Sequence, residues 1–246
     1  MKIADKSRAV VRAGRPPEGA LSRRGPDPVE EELYRLITEA IVTKQLRPGS
    51  KLKEATLAVQ FSVSRARVRR VFQRLAELDF VEFRLNHGAQ VRRPAPDEAR
   101  AVFATRRLIE AEAVRTTAAR ASAADYARLR AFVKNENRAF ETKDKGLAAL
   151  ASGFHILLGE MCGNPVLARI LNQLVHQCVL IQSLYERDSQ RTICLVHEHA
   201  EIVELMEAGK AKAAIAAMQH HLNHIEESLD YGRANQIDMR LAMSIG

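Results

Sequence analysis

The sequence is short of the features that mark most catalytic and secreted chains. It has three cysteines in 246 residues, Cys162, Cys178 and Cys194, and no Cys-x-x-Cys pair. An odd, widely spaced set suggests neither a disulfide framework nor a cysteine zinc site, so buried thiols are the expectation. No apolar run approaches a membrane span, and the N-terminus lacks the apolar segment of a signal peptide. A soluble, cytoplasmic protein with no membrane partner is therefore expected. There is no Gly-x-Ser-x-Gly, no phosphate-cradling glycine loop and no nucleophile-base pair. His197-Glu198-His199-Ala200-Glu201 approaches a zinc-protease signature, but Glu201 stands where His-Glu-x-x-His needs its second histidine.

Acidic residues are also scarce at one end. Residues 1–95 hold 20 Lys and Arg against 11 Asp and Glu, whereas residues 96–246 hold 18 against 19. The net +9 and −1 give the +8 of the whole chain, all of it in the N-terminal part. Such asymmetry points to one half meeting a polyanion. With 46% hydrophobic residues, the chain is long enough for two modest domains.

What is present in the basic half is a helix, a tight turn, a second helix and a hairpin. Residues 1–26 read as a disordered basic tail, and Asp27-Pro28 as a helix start with Leu33, Leu36, Ile37, Ala40 and Ile41 as its apolar stripe. Glu54, Leu57, Ala58 and Phe61 give a short helix, ended by Phe61-Ser62-Val63. Ser64 is a good N-cap for a helix in which Val68, Val71, Phe72, Leu75 and Leu78 share one face. Ala66, Arg69, Arg70 and Gln73 lie across from it. Residues 80–83 and 89–92 read as short strands around Leu85-Asn86-His87-Gly88, a hairpin wing. The domain is set at 27–94, closed by Pro94-Ala95-Pro96.

From Asp97 the pattern is helical, with helices expected over 97–120, 123–141, 145–161, 165–187, 190–208 and 210–231 and a tail over 232–246. The fold class is thus mainly α, a winged helix-turn-helix followed by an antiparallel all-α bundle over 97–231. Seven of the eight histidines fall in the bundle, which raises a metal hypothesis beside the reading of partly buried, hydrogen-bonded imidazoles.

The basic half resembles the winged helix-turn-helix of the GntR family of bacterial transcription regulators. Pro48-Gly49, Leu52, Glu54, Leu57-Ala58, Val63-Ser64-Arg65, Val68-Arg69, Leu75, Leu78 and Gly88-Ala89-Gln90-Val91 carry the resemblance. Ser62 and Asp79-Phe80 replace the family's turn and exit glycines, and Ala66-Arg67 replaces Thr-Pro. The bundle resembles the FCD ligand-binding domain of the FadR-type branch through Thr105 to Glu110, Phe154-His155, Gly163-Asn164-Pro165, His199 to Gly209 and Met218 to Leu222.

That resemblance implies a metal held by His155, His199 and His221, with an aspartate one turn before His155. Here that position is Ala151, so Zn²⁺ or Ni²⁺ on three neutral imidazoles stands beside a polar pocket that binds effector directly. Arg106 would reach into the pocket and fork onto an effector carboxylate; the competing account is a surface pair with Glu110, itself read as structural.

The expected function is a DNA-binding transcription regulator, a homodimer on a near-palindromic duplex operator, controlled by a small organic acid. Arg65 and Arg69 are the expected base-reading residues. Arg67, Arg70, Arg74, Lys51 and Lys53 are expected at phosphates, Ser64 at the start of the recognition helix and His87 in a minor groove. The rival readings are a metal-dependent hydrolase using the bundle histidines and a DNA-compacting architectural protein.

Overall fold

The structure is a computed structural model that describes residues 27–84, 88–144, 146–186 and 196–232. The basic tail, His87, Cys194, the start of the helix expected from 190 and residues 233–246 lie outside these. The observed class is the expected one: mainly helical, with a small antiparallel sheet near the N-terminal end.

Helix α1 spans Pro28–Val42, with Pro28 at its first turn and the Asp27 carboxylate accepting from Val29 N at 3.0 Å. Leu33, Ile37 and Ile41, spaced four apart, are buried against the next helices. Strand β1 is only Lys51–Leu52 and was not expected from the sequence. Helix α2, Glu54–Gln60, turns through Ser62 (φ 53°) into α3, Arg65–Glu77. Ser64 caps α3, its hydroxyl accepting from Arg67 N at 3.4 Å. Val68, Val71, Phe72 and Leu75 of α3 are wholly buried, as their spacing requires.

Strands β2, Val81–Arg84, and β3, Gly88–Val91, form the wing and pair antiparallel with Val81 opposite Val91. β1 adds on the other side of β3, Lys51 opposite Gln90, giving the order β1-β3-β2. Asp79 leaves α3 in the left-handed region (φ 58°), where a short polar side chain is tolerated better than a branched one. Its carboxylate meets Arg92 at 2.9 Å and the amide of Gln177.

The remaining described helices are α4 (Pro96–Arg120), α5 (Ala123–Glu141), α6 (Leu147–Met161), α7 (Pro165–Tyr185), α8 (Val196–Glu207) and α9 (Ala211–Glu227). Their bounds correct the expected ones in detail. Pro96 opens α4 rather than closing the linker, because a first-turn proline forfeits no helical hydrogen bond. α9 stops at Glu227, and Leu229 bridges back to Glu186 beyond the end of α7. Ser122 and Asp125 form a reciprocal capping box at α5. At Gly163 (φ 74°) the turn into α7 is left-handed, and a side chain there would be strained and would displace the end of Arg120.

α4 runs through the bundle core, where Phe103, Phe154, Leu158, Leu171, Met218 and Leu222 are fully buried. α7 belongs to two cores at once. Its Val175, Cys178 and Ile181 pack into the bundle, while Val179 and Leu180 pack with α1, α3 and the sheet. Gln173 Nε2 donates to Glu77 O at 2.7 Å, and Tyr185 Oη donates to Pro94 O at 2.8 Å. The winged part is thereby fastened to the bundle along one helix.

His176 sits on this seam with its ring 4.8 Å from that of Phe80, and its Nδ1 is buried with no hydrogen-bond partner among the described residues. Burial lowers its imidazole to about 4. An unfolded histidine near 6.5 binds a proton sooner, so this contribution to stability is whole above about 6.5 and lost as pH falls towards 4. His176→Leu should therefore flatten the acid limb of the stability curve by up to about 1.4 kcal/mol per pH unit in that window, read by denaturant unfolding.

Candidate metal centre and nucleic-acid interface

Three helices aim one imidazole each at a common point. His155 comes from α6, His199 from α8 and His221 from α9, and all three are buried. Their Nε2 atoms converge, 3.0 Å from His199 to His221 and 3.4 Å from His221 to His155. Phe154 covers one side, its ring stacked on His199 at 4.1 Å.

Each imidazole is held from behind by a carboxylate. His155 Nδ1 meets Glu110 at 2.5 Å, His199 Nδ1 meets both oxygens of Glu136 at 2.9 Å, and His221 Nδ1 meets Glu198 at 2.7 Å. Glu110 and Glu136 are themselves fully buried. Sequence reasoning missed Glu136 altogether and left Glu110 as merely structural. It considered Glu198 only for a protease signature, yet that side chain lies behind His221, and His197 packs edge-on against Phe140.

Arg106 corrects another expectation. Its Nε donates to Glu110 at 2.6 Å, but both side chains are buried, so the surface-pair account fails. One turn of α4 thus presents a guanidinium and a carboxylate together to the core. Arg106 Nη2 is buried and has no hydrogen-bond partner among the described residues.

The protonation states follow from these contacts. Burial raises the Glu110 carboxyl, but Arg106 and His155 outweigh it and hold it at about 2. Burial lowers His155 to about 4 against the pull of Glu110. His199 is held well below the usual imidazole range by burial and by His221, His155 and Arg106. Glu198 is opposed by burial but kept low by His221 and His224. His155 therefore donates Nδ1–H to the ionised Glu110 and leaves its Nε2 bare. Burial raises Glu136 to about 8, so the Glu136–His199 pair keeps a proton that His199 Nε2 directs at His221.

This donor set fits a divalent ion. A tetrahedral ion with bonds of about 2.0–2.1 Å spaces its nitrogens about 3.3 Å apart, close to the observed separations. Carboxylates behind ligating histidines fix the tautomer and raise ligand basicity. Ala151, one turn before His155, supplies no oxygen, so the anionic charge lies one layer further out, on Glu110 and Glu198.

On the winged side, the arginines of α3 divide into two groups. Arg67 meets Asp27 at 2.5 Å, Arg70 pairs with Glu30, and Arg74 meets Glu31 at 2.9 Å while stacking over Tyr34. These three face the start of α1. Arg65, Ala66, Arg69 and Gln73 occupy the open face and are exposed. Neither Arg65 nor Arg69 has an ion pair among the described residues, and Lys51 and Lys53 are also exposed.

A winged helix-turn-helix with an open basic face, packed on a helical bundle with a buried polar centre, defines a two-part DNA-binding regulator. The chain belongs to the GntR family of bacterial regulatory proteins: the gntR family model matches residues 29–91 and the FCD domain model residues 101–224, the FadR-type architecture. It is 25% identical to the HTH-type transcriptional repressor RspR of Escherichia coli K12, over 86% of this chain and 93% of the relative. It is 26% identical to the HTH-type transcriptional regulator LutR of Bacillus subtilis, over 75% and 94%. A GntR transcriptional regulator from Rhodococcus sp. RHA1 has the same fold, with a TM-score of 0.70 at 22% identity over 80% of this chain and 95% of that one. E. coli McbR/YncC follows at a TM-score of 0.68, 14% identity and 80% and 94% coverage.

The carboxylate layer gives a direct test of the centre. Glu136→Gln keeps a hydrogen-bond partner for His199 but removes the carboxyl that would give up its proton as an ion binds, and Zn²⁺ affinity should fall about 10–100-fold in a chelator competition assay. An unchanged affinity would show that Glu136 does not support a metal ligand.

Proposed function

We propose that this regulator binds a near-palindromic operator as a homodimer, its affinity set by a small organic acid in the bundle. The observation that carries the DNA reading is the split of the α3 arginines. Arg65 and Arg69 lie on the open face with no ion pair among the described residues, suited to forked contacts with guanine edges in the major groove. Lys51, Lys53 and the Ser64 end of α3 would address phosphates. Arg67, Arg70 and Arg74 already have carboxylate partners on α1, so their role is to dock α1 on α3, and the phosphate contacts expected of them are not carried forward.

For the bundle, the reading rests on the convergent imidazoles and the orphan donor of Arg106. His155, His199 and His221 would hold Zn²⁺ or Ni²⁺, which supplies a positive centre with open positions for a carboxylate. Arg106 Nη2 would take a further oxygen of the same anion. Neither feature calls for a catalytic step. The effector must bind one arrangement of the two winged parts better than another to change operator affinity, and α7 is the element through which it would act.

The DNA assignment is tested by titration of an operator recovered from genomic mapping and of a random duplex. Arg69→Ala should cost about 1–3 kcal/mol on the operator and little on random DNA, whereas Lys53→Ala should weaken both alike. Equal losses from Arg69→Ala on the two duplexes would remove it from base reading.

A further inference from the structure

A second group of donor atoms lies outside the buried centre, where α8 and α9 meet. His220 and His224 stand one turn apart on α9, their ring centroids 3.9 Å apart. His220 is exposed and the His224 side chain is 36% exposed. Glu198 reaches from α8 with its two oxygens divided: Oε2 is 2.7 Å from His221 Nδ1 and Oε1 is 2.6 Å from His224 Nδ1. One donor atom each from Glu198, His220 and His224 falls within 4.8 Å of the others.

An ion pair between Glu198 and His224 accounts for only part of this arrangement. His220 has no hydrogen bond or ion pair among the described residues, yet its ring is packed on that of His224. Two histidines one turn apart on a helix and a carboxylate from the neighbouring helix are a donor set suited to Zn²⁺, with the remaining positions open to water.

We propose that Glu198, His220 and His224 form a second divalent-cation site at the surface, separate from the three-histidine centre. Glu198 then serves both: Oε1 faces the outer ion while Oε2 holds the Nδ1 proton of His221. The two sites share no donor nitrogen and are joined only through the Glu198 carboxylate.

The experiment is equilibrium dialysis of Zn²⁺ against the full-length, chelator-stripped chain, with metal analysis of ions per chain. The variant is His220→Ala/His224→Ala, whose side chains lie outside the core, and its thermal unfolding in chelator should match that of the wild type. The proposal expects the variant to bind one ion fewer per chain: two falling to one, or one falling to none if the inner centre takes no zinc. The second pattern would sink the inner site while supporting the outer one. An unchanged count between wild type and variant overturns the proposal.

Discussion

The structure turns on the buried chain of charge that runs from Arg106 through Glu110 to His155. A guanidinium or a carboxylate alone in this core would be expensive to bury, and the pair is tolerated because each satisfies the other. Glu110 stays ionised at about 2, which fixes the His155 tautomer and leaves Nε2 bare. The same device recurs with Glu198 behind His221, and Glu136 behind His199 completes the ring. The pocket thus has imidazoles inside and acids outside, with the three Nε2 atoms turned inwards.

This explains why Ala151 does not empty the site of purpose. A directly ligating aspartate would place negative charge on the ion itself. Here the three donors are nitrogen only, a set that would suit Zn²⁺ or Ni²⁺ better than harder cations. Arg106 is tied to the same centre through Glu110, which also holds His155. α7 connects this region to the winged part by packing its two faces into two cores.

Local features were legible in the sequence. The Asp27-Pro28 start, the Ser64 cap and the buried face of α3 each depend on residues within a few positions, and the structure shows all three. β1 was missed because two residues carry no periodicity, and its existence depends on Gln90 and Ala89 across the sheet. The partition of the arginines was missed for a similar reason: Arg67, Arg70 and Arg74 find Asp27, Glu30 and Glu31 some forty positions earlier. Arg106 and Glu110 were readable as a helical pair, but spacing alone says nothing of burial. The three histidines were reached through the family resemblance, whereas Glu136, 63 positions from His199, left no signal in a single sequence.

The central claim is that carboxylates behind His155, His199 and His221 make their inward nitrogens a metal centre. The most direct measurement is anomalous diffraction at the zinc edge from crystals of the zinc-loaded chain. The account predicts a peak bonded to all three Nε2 atoms at about 2.0–2.1 Å. Zinc found only elsewhere, with the three imidazoles still hydrogen-bonded to one another, would contradict it.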